Sequence, residues 1–351
     1  MIKILPINID APVTTECWSF YRTSIISAHN NLKFWLLQHY NNLYSDFKKN
    51  LYYGEHGHKY DQYNYYNNVL ETKCFSHKSI KSDNLIKFIV DNINNNKYVL
   101  LECDYNILME REGLYIHEIL IYGYDESRKI FYIPILQNTR WISQEFSYQD
   151  VVSSFEALDN LKEDKAISEM YKREYLSSIT TFNILDYEMN FCIESFYNHI
   201  KSIRNEICRK YITYVDENRV SEYKNGYWTC YNTLLEIAAE IINGNNILLN
   251  EYNYSLNIRK LLEYRVRIKN DIDILIDKFN IKADINILNN AEEICDILER
   301  CCNISIKFNK TNDNKYMWLI SDFLVEAFNK EKVIIDHLYS LTREYMIREY
   351  W

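Results

Sequence analysis

Cys17 and His117 are the two residues whose types and placement suit covalent catalysis. Cys17 ends the loop "DAPVTTEC" and opens "CWSFYRTSIIS", which reads as the start of a helix. A helix N-terminus stabilises a thiolate through its dipole and outward-facing amides. The same amides hold an oxyanion during acyl transfer. His117 stands at the head of the apolar strand "HEILIYGYD". A cysteine near the N-terminus with a histidine about a hundred residues on is the order used by papain-like folds. Each alone has a plainer reading, Cys17 as a buried small hydrophobe and His117 as the cap of a sheet edge.

A histidine base needs a third group to orient it. Two candidates follow from strand register. If 98–104 and 117–124 form a hairpin, Asp104 ends one strand where His117 begins the next. If 117–124 and 130–137 pair about the turn at 125–129, numbers across the ladder sum to about 254, and Gln137 faces His117. Asp104 comes first, because a carboxylate also stabilises imidazolium. Asp125 is excluded, eight residues and about 26 Å along the strand.

Other chemistry finds little support. "GEHGH" offers His56 and His58, with His77 near Cys74, but His-x-His without further ligands at standard spacing is a polar loop rather than a metal site. Cys301–Cys302 has no CxxC partner. No phosphate loop, dinucleotide-binding glycine pattern or Gly-x-Ser-x-Gly elbow is present. No tightly bound cofactor and no metal are expected.

The elements that must position the pair are legible in outline. "MIKILPINI" is a lead-in strand. Thr14 or Thr15 caps the helix that begins near Cys17, which continues with a break near Asn30–Asn31. "SDNLIKFIVDNINNN" (82–96) is a helix capped by Ser82 or Asp83, with Leu85, Ile86, Ile89 and Ile93 on its face. "KYVLLECDY" (97–105), "IHEILIYGYD" (116–125) and "IFYIPIL" (130–136) are strands of an antiparallel sheet. "SYQDVVSSFEAL" (147–158) carries a Ser-x-x-Asp cap and turns helical. "SITTFNIL" (178–185) either closes the sheet or links domains. From residue 186 on, amphipathic helix dominates, at lengths that suit an antiparallel bundle. The expected class is α+β, with a catalytic domain over 1–185 and a helical domain over 186–351.

Composition agrees with that division. All 3 prolines fall in the first 134 residues, with most of the 6 glycines. The net charge of −9 repels phosphate backbones, so nucleic acid is not an expected partner. No run of about 18 apolar residues exists to span a membrane. The 9 cysteines are odd in number and scattered, which is no disulfide framework. With no leader-like apolar run at the N-terminus, the chain reads as reduced and cytoplasmic.

"VLLECDYNIL", "IHEILIYGYDESRKIFYI", the spaced Trp141, Phe146 and Asp150, and "ECWSFYRTSIIS" together resemble the butirosin biosynthesis protein H family. "LNIRKLLEYRVRIKNDIDIL" (256–275) extends the resemblance into the helical half. It implies a papain-like or C39-peptidase-like fold turned to thiotemplated biosynthesis, as in the closthioamide-type amide-forming enzyme. Cys17 then matches the nucleophile and His117 the base. An acyl group would move from the phosphopantetheine arm of a carrier protein, through acyl-Cys17, to a small amine. Two departures stand out. Where C39-like proteins keep an Asp after "FYI", this chain has Pro134 and Ile135. Where they often keep a Gln six residues before the Cys, it has Ala11. A peptidase or thioesterase with the same site, and a non-catalytic scaffold retaining the fold, are the alternative readings.

Overall fold

The computed structural model describes residues 1–32, 34–36, 43–45, 49–53, 66–76, 79–137, 140–160, 179–185, 190–206, 208–212, 220–225, 227–244, 254–279 and 285–350. His56, His58 and His77 lie outside the described residues. The protein mixes helix with antiparallel sheet. It divides into two compact units, Met1–Leu32 with Tyr63–Glu188, and Lys33–Gln62 with Met189–Trp351. The chain passes finally from the first unit to the second between Glu188 and Met189, and 33–62 fall in the second unit.

The first unit carries two four-stranded sheets. In one, β1 (Ile2–Ile4) pairs with β7 (Gly123–Asp125), β7 with β8 (Ile130–Gln137), and β8 with β9 (Arg140–Ser147). In the other the order is β4 (Leu70–Phe75), β10 (Ile179–Ile184), β5 (Lys97–Asp104) and β6 (Ile116–Ile121). The "SITTFNIL" stretch therefore closes the sheet, inserted between β4 and β5. The run 116–125 is shared. Its first half, β6, serves one sheet, and its second half, β7, serves the other. Gly123 permits the approach of β1, since a Cβ there would lie 3.0 Å from the Lys3 carbonyl oxygen and 3.1 Å from the Ile4 Cα.

Helix α1 (Cys17–Ser27) is buried on every side from Ser19 to Ile26. Such a helix must satisfy its own polar side chains. Thr23 Oγ1 donates to the Ser19 carbonyl at 2.8 Å, and Ser24 Oγ donates to that of Tyr21 at 3.0 Å. The helix stops at Ser27, and a 3₁₀ turn over Asn30–Leu32 follows, where the asparagines weaken helix propensity. Glu16 is its N-cap in extended conformation and accepts from the Phe20 amide through its carbonyl at 2.8 Å, so neither Thr14 nor Thr15 caps it.

Helix α2 (Ser82–Asn94) buries Leu85, Ile89 and Ile93, as its spacing requires, but its N-cap is Lys81 rather than Ser82 or Asp83. Helix α3 (Tyr148–Asn160) opens on the expected cap. Ser147 Oγ accepts from the Asp150 amide at 3.1 Å, and Asp150 Oδ2 accepts from the Ser147 amide at 3.2 Å. Strand β5 is buried on both faces beyond Lys97, which explains its continuous apolar run.

The second unit joins helices α4 (Ile193–Arg204), α5 (Tyr227–Ile242), α6 (Tyr254–Phe279), α7 (Ile285–Thr311) and α8 (Lys315–Tyr350) to a third antiparallel sheet. That sheet orders β11 (Cys208–Ile212), β12 (Val220–Asn225), β2 (Leu43–Ser45) and β3 (Leu51–Tyr53). Polar side chains of α6 hold β3 in place. Asn257 Oδ1 accepts from the Leu51 amide at 3.1 Å, Lys260 Nζ donates to the Leu51 carbonyl at 2.7 Å, and Tyr53 donates to Glu263 at 2.6 Å. These bonds tie β3 to a helix of its own unit. Deeper in, Arg265 of α6 pairs with Glu331 of α8, both buried, with the guanidinium 4.2 Å from the Tyr264 ring centre. Among the described residues no helix is long and apolar enough to cross a membrane.

Candidate active site

Cys17 is the first residue of α1 and is half-buried. Its loop is tied down by β9, where Trp141 Nε1 donates to the Thr14 carbonyl at 2.9 Å. The Trp141 ring stacks on Phe20 at 3.7 Å and meets Tyr21 edge-on at 5.6 Å. The start of α1 is thereby fixed through two adjacent helix residues and through the loop before it.

His117 is the second residue of β6, directly across from Cys103. Its Nδ1 lies 2.7 Å from the carbonyl oxygen of Glu118. A carbonyl only accepts, so Nδ1 carries the proton and Nε2 keeps its lone pair for a base. The same Glu118 oxygen accepts the Tyr21 hydroxyl at 2.7 Å. β6 is the end strand of its sheet, so this carbonyl stands where a helix and a side chain can both reach it.

Two tyrosines bring Cys17 and His117 into one neighbourhood. The rings of Tyr105 and Tyr115 lie 5.5 and 5.4 Å from the His117 ring and meet each other edge-on at 6.1 Å. A charge on Cys17 is felt by the hydroxyls of Tyr105, Tyr115 and Tyr21, and Cys17 in turn feels the carboxylate of Glu118. No hydrogen bond joins Cys17 to His117 in this resting arrangement.

Neither expected orienter takes that role. Asp104 pairs with Ile116 in the ladder, one register position from His117 and so on the opposite face. Its carboxylate is spent on backbone. Oδ1 accepts from the Asn106 amide and from the Tyr115 amide, each at 3.1 Å, which caps the helical turn Tyr105–Leu108. Asp104 thus shapes the 105–115 loop and places both tyrosines, without touching the imidazole. Gln137 fails by one residue. The β7–β8 ladder sums to 255, as in Gly123 opposite Tyr132, and it ends before β6. Gln137 pairs with Arg140 instead and is exposed. Where C39-like proteins keep an Asp, Ile135 is buried at 1% exposure opposite Ile142. Ala11 is buried too and offers no donor side chain. Sequence reasoning missed the Glu118 carbonyl, because backbone groups leave no signature in residue type.

The electrostatics also depart from expectation. The position of Cys17 at a helix start suggests a stored thiolate, but burial, with Glu118 and then Glu16 adding to it, pushes the thiol up to about 12. Burial pulls His117 below its ordinary 6.5. Both shifts favour a neutral thiol and a neutral imidazole at neutral pH. Groups in those states suit proton transfer during attack rather than a preformed ion pair. The signs give two expectations. Alkylation of Cys17 by iodoacetamide, followed on its own peptide, rises about tenfold per pH unit through pH 10 without levelling. A plateau near neutrality contradicts a raised thiol. Any His117-dependent acylation has its acid limb displaced below the ordinary imidazole value of 6.5, because the depressed imidazole protonates later than a free one.

No group of metal-ligating side chains occurs among the described residues. No protein-family model and no curated protein sequence matches this chain.

Proposed function

We propose that this protein is an amide-forming acyltransferase of papain-like type, in which Cys17 accepts an acyl group from a carrier-protein thioester and passes it to an amine. The observation that carries this reading is His117, held with Nδ1 on the Glu118 carbonyl and Nε2 left basic, in the same tyrosine-walled neighbourhood as Cys17 at the head of α1. The resemblance of the Cys17 and His117 segments to the butirosin biosynthesis protein H family supports the choice of donor and acceptor.

The steps balance without a cofactor. Cys17 Sγ attacks the thioester carbonyl while its proton passes to His117 Nε2. The tetrahedral oxyanion forms at the start of α1, where the first amides of a helix lack intrahelical partners. The C–S bond to the phosphopantetheine arm breaks, and its thiol leaves with the proton from His117. An amine then attacks acyl-Cys17, gives its proton to His117, and Cys17 leaves as the thiol. The raised thiol makes Cys17 a poor leaving group as thiolate, so protonation by His117 matters in the second half as well as the first.

The test is a partition experiment. A carrier protein loaded with acetyl-phosphopantetheine is incubated with the enzyme and a panel of primary amines. The expected product is mainly acetamide of one amine class. Free acetate as the main product with every amine makes the protein a thioesterase. A loaded carrier left intact favours the scaffold reading.

A further inference from the structure

We infer that Tyr21 is a positioning residue, whose hydroxyl sets Cys17 and His117 in register by sharing the Glu118 carbonyl with the imidazole. The inference rests on the Cys17–His117 reading above.

Tyr21 follows Cys17 by four residues, one turn along α1, so whatever fixes Tyr21 along the helix also fixes Cys17. It is 1% exposed. Its hydroxyl donates to Glu118 at 2.7 Å, the same distance at which His117 Nδ1 donates to that oxygen. A carbonyl oxygen has two lone pairs, and these two donors use both. One atom of β6 therefore carries the tie from the nucleophile's helix and the tie that selects the histidine tautomer. The ring is braced against Trp141 and Phe20, which leaves the hydroxyl one direction to point. A rigid aromatic stem suits a gauge between two elements, because few torsions blur its length. Where C39-like proteins use a side-chain carboxylate, this chain has a backbone oxygen held from α1.

The test uses the full chain and S-acetyl-N-acetylcysteamine as acyl donor, with acetylation read on the Cys17 peptide by mass spectrometry. Wild type, Tyr21→Phe, His117→Ala and the double variant are compared across pH. Tyr21→Phe keeps the ring and its packing and removes only the donor. The expected result is about tenfold slower acetylation, with a shifted acid limb, since sub-ångström misplacement of reacting groups is costly. In the His117→Ala background the same substitution is expected to change nothing. Equal slowing in both backgrounds makes Tyr21 merely structural and overturns the inference. So does wild-type behaviour of Tyr21→Phe while His117→Ala is slow. If His117→Ala itself reacts at the wild-type rate, the Cys17–His117 reading fails and Tyr21 has nothing to position. Should Tyr21→Phe not fold, p-aminophenylalanine at position 21 places an N–H donor on the same ring and is expected to keep the wild-type rate and acid limb. Loss of both with the fold intact overturns the inference.

Discussion

Cys17→Ala abolishes acyl transfer from a thioester to the protein, and with it amide formation. The expected loss is complete, because among the described residues no other cysteine is the first residue of a helix. Cys103, Cys230 and Cys301 are buried, Cys74 and Cys192 are exposed, and Cys295 and Cys302 lie within α7. The fold should survive the change, since Cys17 is only half-buried and alanine suits a first helical turn. Thermal unfolding alongside the acylation assay separates lost chemistry from lost structure. An unchanged melting transition with no acyl adduct is the expected pair of results.

His117→Ala has the second largest effect. Removing a general base typically costs 10²–10⁴-fold, or about 3–5 kcal/mol of transition-state stabilisation. A resting thiol pushed up to about 12 places this protein toward the upper end, for so little thiolate exists at neutral pH that attack depends on proton transfer. The pH profile sharpens the point. The variant should lose the acid limb below pH 6.5 and retain only a hydroxide-dependent rise. Single-turnover acylation of Cys17 from pH 5 to 9 reads both features. His117→Gln is expected to behave like alanine, since an amide orients but does not accept a proton.

Much of this arrangement was legible in residue types. Period-two and continuous apolar runs marked β5, β6 and β8, and the run of β5 is continuous because that strand is buried on both faces. The Ser147–Asp150 cap announced α3, since capping is local chemistry. Cys17 and His117 stood out by type and by their place at element starts. What failed was non-local. The one-residue register difference that turns Gln137 away depends on where β6 ends and β7 begins, and both halves lie in one unbroken run. Asp104 looked free to reach His117, but the loop after it needed a cap and took both acceptor bonds. The β2, β3, β11 and β12 strands are short, so their pairing across a long stretch of sequence left no periodic signal. The Glu118 carbonyl was invisible for a plainer reason, since every residue has one.

A helix start also proved a weak guide to charge. Its dipole acts within one turn and competes there with Glu16 at the cap, Glu118 across on β6, and burial itself. Those three effects raise the thiol, so position on a helix and protonation state must be argued separately.

The most direct test is peptide-level mass spectrometry of the wild-type chain after brief mixing with acetyl-loaded carrier protein, before and after an amine is added. The account predicts one acetyl group, on the peptide holding Cys17, absent in Cys17→Ala and cleared by the amine as the amide appears. An acetyl group spread equally over Cys74 and Cys192, or amide formed while Cys17 is never acylated, contradicts it.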